Sequence, residues 1–236
     1  MLDEFWAVIP ARSGSIKLKN KNILKINNRP LIHYTQEAAT KTVEINKIIF
    51  TSDSLKYIQI SKKKFPADIY HIRPKNISGK NSKDITFFKS ILKMLNEKKY
   101  EIPKYFVHLR PTCPIRDPKI ISKAIKIFKK LKNFSSLRSV SQSSETAFKS
   151  FIIRKSRLAN VFTNSFNLDN SNFPRHMYPQ TYDPNSYVDI VKTTNIGKGI
   201  LHGKRVYPYI IKDFVMDINT KLDFERAENL IKKKNK

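Results

Sequence analysis

Apolar positions along the chain fall into two alternating rhythms. Residues 5–10 (FWAVIP) are an unbroken apolar run, short enough for a strand buried on both faces. The polar, glycine-containing stretch ARSGSIKLKNKN follows and reads as a loop. Pro30 opens PLIHYTQEAATK, in which Leu31, Tyr34 and Ala38 recur at helical spacing, and proline suits the first position of a helix. KIIFTSD predicts a second strand ending at Asp53, and a lysine-rich helix is expected near 54–64. ADIYHI predicts a third strand, after which Ile85, Phe88, Leu92 and Leu95 mark one apolar face of a helix. YFVHL (105–109) predicts a fourth strand leading into RPTCPIRDP. Asp117 and Pro118 then start a helix whose buried face is Ile121, Ala124, Ile125 and Phe128.

Strands alternating with helices of this length predict βαβ units, a mostly parallel sheet and right-handed crossovers. Such sheets bind ligands beyond the carboxyl ends of their strands, which places the 11–22 loop, Asp53 and segment 110–116 on one rim. From about 139 to 186 the rhythm breaks into one or two strands and a polar stretch rich in Asn, Pro and Tyr. A segment that buries so little by itself suits an arm packed against another subunit. Regular structure returns with SYVDIVKT, a strand at 206–211, and a terminal helix whose Thr220 and Asp223 have capping-box spacing. One domain over residues 1–236 is expected, with 139–186 as an inserted substrate and dimerisation subdomain.

Charge adds a question to this picture. The sequence carries 46 Lys+Arg against 19 Asp+Glu, a formal net charge of +27 that would attract any polyanion. The lysines are spread along the whole chain rather than gathered into a basic stripe with interleaved aromatics, so nucleic acid is not the expected partner. Cys113 is the lone cysteine, which excludes an internal disulfide framework. MLDEFWAVIPAR has acidic residues where an export signal would be basic, and no apolar run is long enough to cross a bilayer. A soluble cytoplasmic protein is expected, with no membrane partner. The five histidines have no metal-ligand spacing, which argues against a zinc site.

The loop after the first strand offers Arg12, Ser13, Gly14, Ser15, Lys17, Lys19, Lys21 and Asn22. Amides and hydroxyls there could wrap phosphates while the cations neutralise a leaving pyrophosphate. Read alone, the same residues fit a solvated basic turn equally well.

PAR-SGS, six residues, then Asn, followed by the PLIHYT helix, resembles the start of the acylneuraminate cytidylyltransferases, the CMP-sialic acid synthetase family. The resemblance continues in order through SDS (52–54), IRP (72–74), RPTCPIR (110–116), SE-xxx-K (144–149), PQTYDPNSYVDI (179–190) and DINTKLDFERAE (217–228). It implies a doubly wound, mostly parallel α/β fold of the nucleotide-diphospho-sugar transferase type with a small dimerisation arm, and a homodimer. It also implies CTP as co-substrate, Mg²⁺ or Mn²⁺, and an acidic 2-keto sugar whose anomeric hydroxyl attacks the α-phosphate. By position, Arg12, Ser13, Ser15, Lys17, Lys21, Asn22, Asp53 and Arg73 would hold the nucleotide, with Arg12, Lys21 and Asp217 at the chemistry. Arg110, Arg116, Lys149, Arg175, Gln180, Tyr182, Asn185 and Asp189 would face the sugar. Asp217 and Asn219 would hold the metal, and Asp217 would help deprotonate the attacking hydroxyl.

Three positions depart from the family pattern. Ile16 stands where a lysine is common, with Lys17 beside it. Lys80 replaces an aspartate, for which Asp84 is a displaced equivalent. The metal pair Asp-x-Asp reads Asp217-Ile218-Asn219, so one carboxylate has become a neutral oxygen. A single Asp with the triphosphate and water can still satisfy Mg²⁺. The alternatives that stay open are a nucleotidyltransferase for another sugar or nucleotide, a catalytically impaired nucleotide-binding homologue, and a charge-driven nucleic-acid binder.

Overall fold

The structure, a computed structural model, describes residues 4–15, 17–163 and 165–234; Ile16 and the first three residues, on which parts of the sequence reading fell, lie outside them. Strand β1 (Phe5–Pro10) occupies an interior position in a seven-stranded sheet because both of its faces are apolar. Phe5, Ala7 and Ile9 join one core cluster and Trp6 and Val8 the opposite one.

From β1 the chain passes through a small ribbon, β2 (Lys25–Ile26) and β3 (Arg29–Pro30), into α1 (Leu31–Thr40). It continues as β4 (Lys47–Ser52), α2 (Leu55–Lys62), β5 (Ile69–Ile72), α3 (Asp84–Glu97), β6 (Tyr105–His108), α4 (Pro118–Lys130) and β7 (Ser136–Gln142). A separate two-stranded sheet, β8 (Phe151–Arg154) and β9 (Arg157–Asn160), precedes β10 (Tyr182–Lys192), α5 (Thr193–Gly197), β11 (Val206–Ile210) and α6 (Lys221–Lys234).

The large sheet has the order β11-β7-β10-β6-β1-β4-β5. β10 is antiparallel to β6 and β7, and the other pairings are parallel. Ile32 and Ala39 of α1, Tyr57 and Ile58 of α2, and Ile121 and Phe128 of α4 cover one face. Phe88, Ile91 and Leu95 of α3 and Ile196 of α5 cover the other. Each of the buried Ile, Leu and Phe side chains contributes about 1.5–3 kcal/mol by leaving water. The result is the doubly wound, mostly parallel sheet expected from the alternation of elements.

Strand order reverses at β1: the chain goes outward through β4 and β5, then returns through α3 to β6 on β1's other side. The loops leaving β1 and β6 are therefore neighbours, the usual position of a ligand crevice in such sheets. Local signals mark the helix starts. Asp117 Oδ1 accepts from Lys119 N at 2.8 Å to cap α4. The capping box before α6 is closed by Asp223 N on Thr220 Oγ at 3.2 Å and Thr220 N on Asp223 Oδ2 at 2.8 Å.

The break near 139 is displaced in the structure. β7 continues in the large sheet through Gln142, and β10 rejoins it from Tyr182. The arm between them holds β8, β9 and short 3-10 turns. The sequence predicts a strand here, but the polar Ser and Arg positions at 136–142 give no sign that it pairs on both edges within the large sheet.

Candidate active site

A cavity of about 430 Å³ opens at the β1/β6 switch point. Its walls bring together Arg12, Ser15, Lys17, Lys21 and Asn22 from the first loop, Arg73 after β5, and Asp217 and Asn219 before α6. Ile218 draws the last segment in. It is fully buried against Ile26, Leu31 and Ala227, its N–H donates to Thr112 O at 2.8 Å, and its carbonyl accepts from Lys21 Nζ at 2.6 Å. Asp217 is thereby held beside the basic loop.

Around it the loop is braced from several sides. Arg12 Nη1 donates to Gly79 O at 2.9 Å, and Asn22 Nδ2 to Arg12 O at 3.0 Å. Asn22 Oδ1 is buried without a partner among the described residues. Burial pulls the Lys21 ammonium below the usual lysine range, against the opposing pull of Asp217. Arg73 is 5% exposed, lies 4.6 Å over the Phe87 ring, and has Nε and Nη2 without hydrogen-bond partners among the described residues. Burial lowers it to about 10, with Asp53 and Asp84 opposing, so it remains a cation at neutral pH. Buried donors and acceptors without partners carry a free-energy cost, which an anionic group would remove at Arg73 and a hydrogen-bond donor at Asn22 Oδ1.

Asp217 has an asymmetric carboxylate. Oδ2 accepts from Ser186 Oγ and from Asn219 Nδ2, both at 3.2 Å, whereas Oδ1 is buried and without a partner among the described residues. An orphaned carboxylate oxygen beside a cationic phosphate-sized cavity fits a hard divalent cation that completes its shell with phosphate oxygens and water. No cluster of three or more His, Cys, Asp or Glu suited to a metal occurs among the described residues.

Several expected site residues stand elsewhere. Asp53 braces the loop: its two oxygens accept from Ser13 N at 2.8 Å and Ser13 Oγ at 2.9 Å, and neither residue lines the cavity. Arg116 is half-buried and spent on protein groups. It donates to the carbonyls of Tyr187, Arg110, Ser186 and Cys113 and to Thr35 Oγ, which makes it a strut between the β6 loop and β10 rather than a substrate ligand. Asn185 is buried and bonded to Ser139 and Ser141.

Arg110 does line the cavity, but Asp84 Oδ2 and Asp189 Oδ2 each hold its guanidinium at 2.8 Å. Burial alone would lower its pKa; the two carboxylates outweigh that and raise it. Asp189, 1% exposed, lies beneath Arg110 and does not line the cavity. Asn219 turns its amide nitrogen toward Asp217 rather than offering an oxygen alongside it.

Arg175 and Gln180 line a second cavity on the arm, of about 500 Å³, which shares no lining residue with the first. Arg175 Nη2 donates to Ser143 O at 3.0 Å. Lys149 lies 5.9 Å from the Tyr178 ring, and Tyr182 is exposed. Of the expected sugar-facing set, Arg110 lines the first cavity and Arg175 and Gln180 the second, while Arg116, Asn185 and Asp189 are engaged within the protein.

Sequence reasoning missed Thr112, Ser186, Phe87 and His108 among the cavity-lining residues. His108 is 1% exposed, with both ring nitrogens unpartnered among the described residues, and burial lowers it to about 3, so it is neutral. As a polar residue inside the apolar run YFVHL it had a detectable signal; Ser186 had none beyond a turn-like PNS.

No helix among the described residues is long and apolar enough to cross a membrane. Comparison with known proteins gives concordant results. A family model described as Cytidylyltransferase matches residues 6–235. The chain is 34% identical over 243 residues to the N-acylneuraminate cytidylyltransferase of Escherichia coli O18:K1:H7, an alignment taking in 100% of this chain and 54% of that protein. It therefore spans about half the length of that relative. It is 24% identical to the post-translational flagellin modification protein B of Campylobacter coli, over 99% of this chain and 97% of that one. Among solved structures it is similar in fold to a CMP:2-keto-3-deoxy-manno-octonic acid synthetase complexed with CTP, at TM-score 0.69 and 11% identity over 98% of this chain and 99% of that one. From the switch-point crevice to the family match over nearly its whole length, the chain belongs to the cytidylyltransferase family.

Proposed function

We propose that this protein couples CTP to a sialic acid-like or other nonulosonic 2-keto sugar acid, giving the CMP-sugar and pyrophosphate. The observation that carries the reading is the convergence of the cationic loop with the orphaned Oδ1 of Asp217 in one cavity. The 34% identity to an N-acylneuraminate cytidylyltransferase supports the substrate class.

In this reading the anomeric hydroxyl attacks the α-phosphorus, and the bond to the α,β-bridging oxygen breaks. Arg12, Lys17 and Lys21 gather the charge that grows on the departing pyrophosphate, while Ser15 and Asn22 orient the nucleotide. Arg73 is assigned to the nucleotide through its unpartnered Nε and Nη2. Mg²⁺ or Mn²⁺ would be held by Asp217 Oδ1, and when bound it supplies charge neutralisation at the phosphate oxygens. With Oδ2 already taken by two donors, the hydroxyl's proton is assigned to solvent rather than to Asp217.

The sugar's carboxylate is assigned to Arg175 and Lys149, and the same arm to a homodimer in which it meets the partner's cavity. Phe162 at 54%, Ile153 at 78% and Met177 at 60% exposure give the arm an uncovered apolar surface of the kind a subunit interface buries. The test is pyrophosphate release from CTP and Mg²⁺ against a panel of nonulosonic acids. Release that requires one of these acids supports the reading; release only with another nucleotide and a sugar 1-phosphate overturns it.

A further inference from the structure

Ser186 has a backbone that serine does not favour. Its φ is 59°, in the left-handed region, within an irregularity that interrupts the pairing of β10 with β7 between Pro184 and Asp189. A residue with a Cβ is strained there, and such strain persists only where neighbours over-determine the conformation. Here they do. Arg116 holds the carbonyls of both Ser186 and Tyr187 at 2.8 Å, and Tyr187 N donates to Asn185 Oδ1 at 3.2 Å.

What this unusual turn achieves is the placement of one hydroxyl. Ser186 lines the cavity, and its Oγ donates to Asp217 Oδ2 at 3.2 Å. The amide of Asn219 donates to that same oxygen. Both donors act on Oδ2, none acts on Oδ1, and Oδ1 is the oxygen left buried without a partner among the described residues.

We propose that Ser186 is a positioning residue for Asp217: the strained turn aims its hydroxyl at Oδ2, locking the carboxylate so that Oδ1 is presented to a divalent cation. The inference rests on the reading of Asp217 as the metal-holding residue. A lone carboxylate ligand that can rotate presents its oxygen only part of the time. Two hydrogen bonds from the outer shell remove that freedom, which suits a site whose second carboxylate is replaced by Asn219. Loss of such an outer-shell partner typically costs 10–100-fold in metal affinity.

The test is Mn²⁺ binding to the intact protein in the presence of CTP, followed by electron paramagnetic resonance, together with thermal unfolding. Ser186→Gly relieves the left-handed strain and removes the hydroxyl, so Tm is expected to hold or rise while Mn²⁺ affinity falls about 10-fold or more. Ser186→Ala keeps the strain and removes the hydroxyl, with the same loss of affinity expected. A merely structural serine would move affinity and Tm together. Unchanged affinity in both variants, or an affinity loss that tracks a fall in Tm, overturns the proposal while leaving the metal role of Asp217 standing. A wild-type protein that takes up no Mn²⁺ with CTP overturns both.

Discussion

The switch-point cavity and the arm differ in the kind of group each leaves unsatisfied. At the cavity, groups from the β1 loop, the β6 loop and the segment before α6 are held by backbone contacts such as Ile218 N on Thr112 O at 2.8 Å. Its unsatisfied groups are polar: Arg73, Asn22 and Asp217 each have buried polar atoms without a partner among the described residues. On the arm, Arg175 and Gln180 line a cavity of their own, and large apolar side chains face outward. The arm's unsatisfied surface is apolar. In the proposed reading a metal-bound nucleotide satisfies the first region, and a second subunit covers the other.

The most severe way to break the rim alone is Asp217→Asn. It is expected to lower kcat/KM for pyrophosphate release by about 10³-fold, measured with saturating acceptor, with Tm close to wild type. Arg116→Met attacks the scaffold that both regions share through β10. Leaving several carbonyls without their donor is expected to cost roughly 3–5 kcal/mol in urea unfolding.

Ile153→Glu with Phe162→Glu attacks the arm alone. Sedimentation should shift from dimer to monomer, with about a 10-fold loss of turnover. CTP binding should be unchanged, since neither residue lines the rim cavity.

The smallest expected effect concerns acid stability. Burial lowers His71 to about 4 and His108 to about 3, both below the ordinary 6.5. The unfolded chain therefore binds more protons than the folded one between the lowered values and 6.5. Stability should be highest above pH 6.5 and fall as pH drops from there toward 3–4. His108→Leu should flatten part of that slope in a Tm-against-pH series, because His108 packs edge-on against Phe87 and Phe88 and its nitrogens make no hydrogen bond among the described residues.

The rim was legible in sequence where periodicity and chemistry coincided. FWAVIP followed by the Arg-Ser-Gly loop forecast both β1 and its cationic turn, and IIFTSD and YFVHL placed their loops on the same rim. Roles that depend on side-chain direction were not legible. Asp53 and Arg116 have the residue types of ligands, yet each is occupied within the protein, Asp53 by Ser13 and Arg116 by backbone carbonyls. Ser186 was invisible for the opposite reason, since its importance comes from φ and not from composition. In the arm, exposed apolar residues in a polar stretch leave no clean period, so its boundary was set several residues into β7.

In the proposed reading the basic loop and Asp217 grip one metal-bound triphosphate. Calorimetric titration of CTP with and without Mg²⁺, in wild type and Asp217→Asn, tests it most directly. Mg²⁺ should tighten CTP binding in the wild type by about 10-fold or more, and that gain should vanish in the variant. An equal Mg²⁺-dependent gain in both proteins would contradict the account.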